Sequence, residues 1–171
     1  MDQTELVITI AVTSLLTFFG VIFAFELERW REGNARMERL VGALQMIRDE
    51  IERNVALCKQ IENELSQHGP ALVQFYNLKT TTWESVASAL VDLKSSELAK
   101  LISTEYYEYE HLKRRIDARF EFFKTGDQSN VLQSKAFEKI TRSVMMGVKN
   151  LQISGKNVLD AIDKQLNELK S

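Results

Sequence analysis

The chain has 171 residues with one Cys and two His, which excludes an internal disulfide and a cysteine-based zinc site. One Pro, seven Gly and plentiful Leu, Glu, Lys and Ala predict an all-helical protein of modest size. The net charge of −2 is unevenly distributed, because residues 111–156 contain ten Lys and Arg against four Asp and Glu. This asymmetry is typical either of an anionic partner or of solvated helix faces.

The first feature along the chain is an uncharged run of twenty residues from Leu6 to Phe25. Such a run forms a helix of about 30 Å, which matches the hydrocarbon core of a bilayer. Acids precede the run and an arginine-rich stretch, residues 29–39, follows it. Because cationic flanks favour the cytoplasm, residues 1–28 are expected to anchor the chain in the cell inner membrane, with the N-terminus outside. The missing basic n-region and A-x-A-like site argue against a signal peptide.

The anchor is predicted to continue into a stalk helix over residues 29–68, which stops at His68-Gly69-Pro70. Between Met37 and Leu65 the seam residues, mostly apolar, recur at alternating steps of three and four, which is a heptad seam. A helix that leaves the membrane cannot easily fold back at once. We therefore expect the seam to join copies of the chain in a coiled-coil-like homo-oligomer, a tetramer being favoured, while packing within one chain is the alternative. The seam residues expected to specify assembly are Leu44, Ile47, Ile51 and the polar Asn54.

Residues 69–171 are predicted to form a cytoplasmic antiparallel helical bundle. A short helix over residues 71–78 is followed by a capping box, Thr81-x-x-Glu84, that starts a helix over residues 82–93. Ser95 or Ser96 is expected to cap a long helix that runs to about residue 124. The last helix begins near residue 130, and Ser154-Gly155 is a candidate interruption of it.

Small and hydroxylated residues form one stripe on the predicted membrane helix, at steps of three and four. Such residues let membrane helices approach closely, so the stripe is typical of a packing face. The alternative is the lining of a pore in a ring of helices, with an acid at the cytoplasmic mouth that favours cations. The candidate pore-lining residues are Thr9, Thr13, Thr17, Gly20, Ala24 and Glu28.

The basic part of the chain falls on two successive predicted helices. If these helices are antiparallel neighbours, their Arg and Lys side chains present one surface that binds phosphates, and nearby Tyr106, Tyr107 and Tyr109 are candidates to stack on bases. Pairing with acids of the stalk helix is the alternative. The candidate ligand-binding residues are Arg115, Arg119, Lys135, Lys139 and Arg142. We found no phosphate loop, nucleophile motif or metal-ligand spacing, so an enzyme, a cofactor and a metal site are not expected.

Two stretches carry a resemblance to known proteins. The membrane exit Gly20-Val-Ile-Phe-Ala-Phe, followed by Trp30-Arg31-Glu32 and by Glu50, Ile51 and Asn54, resembles that of small prokaryotic single-pass membrane proteins without assigned chemistry. A second block of similarity comprises Thr82-Trp83-Glu84, Leu90, Leu93, Leu98, Leu101 and Tyr106. The chain is also similar to membrane effectors of antiphage systems such as Hailong, but only in its architecture of one membrane span followed by a helical bundle.

These observations lead to one functional expectation and one alternative. The expectation is a membrane-anchored homo-oligomeric effector or ligand-gated channel subunit, whose cytoplasmic domain senses a nucleotide or oligonucleotide, a role in antiphage defence being what the resemblance implies. The alternative is a non-catalytic tether or scaffold for a partner protein. Its domains are then an anchor, residues 1–28, a stalk, residues 29–68, and a bundle, residues 69–171.

Overall fold

A computed structural model of the chain describes residues 3–68, 78–93, 95–125 and 135–170; within these ranges it describes the side chains of all but residues 3–15, 68, 92 and 125. Every secondary-structure element in this part of the chain is helical. In chain order the elements are α1 (Gln3–His68), α2 (Thr81–Val86), a 3₁₀ helix η1 (Ala87–Asp92), α3 (Ser96–Thr125) and α4 (Lys135–Lys170). The all-helical prediction is therefore confirmed.

Two compact units make up the chain, Met1–Arg39 and Leu40–Ser171, and their boundary falls within α1. The uninterrupted course of α1 to His68 agrees with the sequence, which contains no strong helix breaker before Gly69-Pro70. Among the residues that the structure describes, no helix combines the length and the apolar character that crossing a membrane requires.

The second unit is a bundle of three long helices: the part of α1 from Leu40 onward, α3 and α4. Side chains of α1 meet α4 in reversed order, since Arg48 pairs with Asp163 and Glu62 accepts a hydrogen bond from Gln152. α3 also runs antiparallel to α4, because Arg119 donates to Thr141, whereas Glu105, earlier on α3, lies beside Gly155, later on α4. α1 and α3 are consequently parallel, and residues 69–95 connect them.

The core of this bundle is built from the apolar stripes of the three helices. Leu44, Ile47 and Ile51 of α1 are completely buried, as are Ile102 of α3 and Ile162 of α4. The buried residues of each helix recur mainly at three- and four-residue steps, so each helix turns one apolar face to the common axis. Helical-bundle packing, which the sequence predicted for residues 69–171, is therefore observed, and the bundle also includes the part of α1 from Leu40 onward, which the sequence assigned to a stalk.

Three of the sequence-based expectations for individual elements have different outcomes. Ser95 caps α3 as expected, since its hydroxyl accepts a hydrogen bond from the backbone N–H of Leu98 at 3.2 Å. α2 is shorter than predicted, because residues 87–92 tighten into the 3₁₀ helix, and no side-chain capping bond comes from its own N-cap residue, Thr80. The predicted helix over residues 71–78 lies almost wholly outside the described residues.

Gly155 does not interrupt α4, contrary to the sequence-based suggestion, but lies where α4 packs tightly against α1. A Cβ atom at this position would overlap Cγ2 of Val55 and would lie 3.1 Å from the Tyr109 hydroxyl and 3.2 Å from Oε1 of Glu105. Only hydrogen in place of a side chain fits here. The weak helix-forming tendency of glycine is offset by the close packing of two helices.

We expect Gly155→Ala to lower the free energy of unfolding of the full-length chain by about 1–3 kcal/mol, because it overpacks this contact. Thermal unfolding followed by circular dichroism in detergent measures the effect. Val55→Ala in the same chain should restore part of the loss, since it removes the methyl group that clashes. The matched control is Gly42→Ala in α1, where a Cβ meets nothing within 4 Å. A Gly155→Ala chain that is as stable as the unsubstituted chain would contradict the tight contact between Gly155 and Val55.

Candidate functional site

Arg119, a predicted ligand-binding residue, lies in the bundle interior with only 6% of its surface exposed. Its Nε donates to the Thr141 hydroxyl at 3.1 Å, and its guanidinium lies 4.8 Å from the centre of the Phe137 ring. Burial lowers the pKa of the Arg119 guanidinium. The residue therefore joins α3 to α4, and a soluble phosphate cannot reach it without a rearrangement of this corner.

The other four predicted ligand-binding residues are more accessible. Arg115 is half-buried and lies close to α4. A Cβ atom placed on Gly147 of α4 would lie 3.3 Å from a guanidinium nitrogen of Arg115. Lys135, Lys139 and Arg142 are exposed on α4 at helical spacing, and Arg142 forms an ion pair with Glu138. The structure thus brings α3 and α4 together as antiparallel neighbours but removes Arg119 from any shared cationic surface. Phosphate binding by the remaining residues stays a prediction.

The predicted assembly residues of α1 are occupied within the chain. Leu44, Ile47 and Ile51 belong to the core of the bundle, as described above. Asn54 is 2% exposed and binds the backbone of Lys79 twice: its Nδ2 donates to the carbonyl at 2.7 Å, and its Oδ1 accepts from the N–H at 3.1 Å. The buried polar position that the heptad pattern revealed is therefore satisfied inside one chain. Assembly of several chains stays a prediction, and it needs a surface other than this seam.

The predicted membrane stripe is described only in its second half. The side chains of Thr9 and Thr13 lie outside the described residues. Thr17, Gly20, Ala24 and Glu28 are all exposed, within the first unit. The structure therefore places these four where a lipid, a neighbouring helix or water can contact them.

A buried carboxylate, Glu50, lies one helical turn before Asn54 on α1. It is 1% exposed and accepts two hydrogen bonds from Thr82, one from the hydroxyl at 2.7 Å and one from the backbone N–H at 3.3 Å. The second bond satisfies an N–H in the first turn of α2, a role that the sequence assigned to the capping box. Glu50 and Asn54 together fix residues 79–82 against α1.

A second buried carboxylate, Glu105, lies at the centre of the bundle and is 2% exposed. Burial raises its pKa, while the hydroxyls of Ser154 and Tyr109 act in the opposite direction. Its Oε1 and the Tyr109 hydroxyl nevertheless lack a hydrogen bond of good geometry. Burial and the neighbouring Glu105 also raise the pKa of the Cys58 thiol to about 12, so this cysteine is a neutral, enclosed side chain and not an activated nucleophile.

An open concave site lies between the start of α2 and one face of α3. Its volume is about 530 Å³. We call it the aromatic groove and define it by six residues: Trp83, Glu84, Tyr106, Tyr107, Glu110 and Arg114. The four α3 residues occur at steps of one, three and four, which puts them on one helix face. Sequence reasoning noticed the tyrosines but not the groove, because its other wall comes from residues 80–84, more than twenty residues earlier.

Two contacts join the walls of the groove and fix them relative to each other. The Trp83 and Tyr106 rings lie 5.7 Å apart at an interplanar angle of 30°, and the Thr80 hydroxyl donates to Glu110. Tyr107 is 61% exposed, and its ring meets that of His111 edge-on at 4.3 Å. An accessible cleft with oriented aromatic and charged side chains is the usual form of a binding site.

Among the described residues, no group of three or more His, Cys, Asp and Glu is placed to hold a metal ion. No protein-family model, curated protein or solved structure matches the chain. The function is therefore argued from the chain's own residues.

Replacement of Glu105 tests the electrostatics of the core. Burial raises the pKa of the Glu105 carboxyl in the folded state, so this carboxyl stabilises the fold least when it is charged. Its contribution is largest below the ordinary value of 4.5 and decreases as pH rises through the raised pKa. Glu105→Gln should therefore increase Tm at pH 8, and the difference from the unsubstituted chain should shrink towards pH 4. A difference that does not vary with pH would contradict a charged, buried Glu105.

Proposed function

We propose that the chain is a single-span membrane anchor whose cytoplasmic helical bundle tethers a partner protein. The observation that carries this proposal is the apolar surface of α1 in the first unit. Large apolar side chains are exposed there at nearly consecutive positions. They are Leu16, Phe18, Phe19, Val21, Ile22, Phe23 and Phe25, and their exposed fractions range from 44% to 72%.

Consecutive residues of a helix point in directions about 100° apart, so these side chains cover every side of α1. A helix with a single apolar stripe can be covered by one partner. A helix that is apolar on every side, by contrast, needs an apolar environment all around it. The uncharged sequence extends back to Leu6, beyond the side chains that the structure describes, so the sequence supplies the twenty residues that a bilayer-spanning helix needs. Lipid is therefore the covering that best suits this segment.

The residues that follow support the proposed orientation. Trp30 is 64% exposed, just beyond the apolar run, where indole rings favour the headgroup level. The arginines of residues 29–39 are exposed as well. Trp30 supports a membrane boundary at this point, and the arginines favour the cytoplasmic side for the bundle.

A tether suits the bundle better than a ligand-controlled gate. The seam residues of α1 are used inside the chain, and Arg119 supports the contact between α3 and α4. The buried polar groups Glu50 and Asn54 fix one conformation of the connection. The aromatic groove, by contrast, faces outward and is free to receive another molecule.

Labelling of single cysteines tests the membrane proposal. Cys58 is buried and neutral, so a membrane-impermeant maleimide should modify only engineered thiols in the folded chain. We expect Asp2→Cys to be labelled in intact cells, and Asn150→Cys, on an exposed position of α4, only after the cells are permeabilised. The chain should also stay in the membrane fraction at alkaline pH. Release by alkali, or labelling of both cysteines in intact cells, would contradict the anchor.

One observation favours the channel subunit as a second candidate. Thr17, Gly20, Ala24 and Glu28 share one exposed stripe of α1, which suits a helix that packs against copies of itself. In this case the chain would be a homo-oligomeric effector, as the resemblance in plan to antiphage membrane proteins implies. A nucleotide or oligonucleotide on the basic helices would then control the pore.

Thr13→Val with Thr17→Val separates the two candidates, because valine keeps the shape of threonine and removes the hydroxyl. Apolar rings at a constriction favour dewetting, so a pore lined by these threonines should lose ion flux in liposomes while still assembling. A tether predicts no flux from the unsubstituted chain and no effect of the double substitution. Cross-linking in the membrane provides the control for assembly.

A further inference from the structure

The charges of the aromatic groove favour a cation. Its walls carry two carboxylates, Glu84 and Glu110, against one guanidinium, Arg114. Glu84 is exposed, while Glu110 is half-buried and oriented by the Thr80 hydroxyl. The groove therefore has a net negative charge, although the part of α3 from residue 111 onward has an excess of Lys and Arg.

The aromatic rings add a second, independent preference for a cation. Tyr106 is buried and Trp83 is half-buried against it, so the faces of these rings are fixed before a ligand arrives. Tyr107 contributes an exposed third ring. The faces of aromatic rings carry negative potential and attract ammonium and guanidinium groups, most strongly where a carboxylate lies close by.

The form of the groove indicates how such a cation arrives. Glu84, Tyr107 and Arg114 are exposed, so the site is open along one side. A small molecule is usually enclosed over most of its surface, whereas an open groove admits one side chain of a polypeptide.

We propose that the aromatic groove binds the side chain of an Arg or Lys on a segment of the tethered partner protein. The protein nature of the ligand rests on the proposed function, whereas the preference for a cation rests on the groove alone. The guanidinium or ammonium group lies against the rings of Trp83 and Tyr107, and Glu84 neutralises its charge. The positive charge of Arg114 repels the bound cation and weakens its binding.

The fluorescence of Trp83 provides a direct test. The chain contains two tryptophans, so Trp30→Phe leaves Trp83 as the only reporter. Full-length chain in detergent is titrated with acetyl-Gly-Arg-Gly-amide, with its Lys counterpart, and with the uncharged citrulline counterpart as control. We expect saturable changes with Arg and Lys at millimolar concentrations and none with citrulline.

Three charge variants then test the direction of the effect. Glu84→Gln should weaken binding of the Arg peptide by about 3- to 10-fold, and Arg114→Gln should strengthen it by a similar factor, since each removes one charge near the cation. The matched control is Glu97→Gln, another exposed acid, which lies outside the groove and should leave the affinity unchanged.

Three results would overturn the proposal: no response to the Arg or Lys peptide, an equal response to citrulline, or the reverse dependence on charge together with binding of ATP. The last result would assign the groove to an anion. These outcomes are separate from the cysteine labelling of the anchor. If the groove does not bind the peptides, the labelling can still show a membrane-inserted chain. If the labelling contradicts the membrane anchor, the peptide titration can still show a cation site in the groove.

Discussion

The arrangement of the bundle depends on one pair of polar side chains on α1. Glu50 and Asn54, four residues apart, bind the backbone and hydroxyl of residues 79–82 through four hydrogen bonds. A buried carboxylate or amide without partners would destabilise the fold by several kcal/mol, so the connection must occupy this place once α1 and α3 pack together. Because the connection is fixed here, Trp83 meets Tyr106 and Thr80 meets Glu110. The aromatic groove is a consequence of the same contacts.

The sequence could predict the elements of this fold but not their partners. The predicted seam correctly identified the buried face of α1 from Leu40 to Ile61, and the buried position of Asn54 followed from the same spacing. Met37 at the start of the seam is exposed, and Leu65 at its end is only partly buried. A heptad pattern fixes which face of a helix is covered, but the same pattern suits a helix of the same chain and a helix of a neighbour. The partner of Asn54 is a backbone group 25 residues away, and no residue type marks such a group in a sequence.

Two other residues show the same limit. Gly155 was interpreted as a break in α4, since glycine is a poor helix former, yet the tight contact with Val55 needs the absence of a side chain. Arg119 was assigned to a basic surface, yet its position inside the helix pair places it against Phe137 and Thr141. In both cases the decisive neighbour comes from another helix. By contrast, the end of α1 and the cap of α3 depend on adjacent residues, and both were predicted.

This fold requires the buried seam of α1 to be covered by other segments of the same chain, with α4 lying against α1. Arg48 and Asp163, which pair at 2.7 Å, are partly exposed and allow a direct measurement. A chain with Arg48→Cys and Asp163→Cys is treated with a short bis-maleimide in its membrane, alongside co-expressed copies that each carry one of the two substitutions. We expect a cross-link within the doubly substituted monomer and none between the co-expressed copies. Cross-linked dimers from the co-expressed copies, without an intrachain product, would contradict this fold.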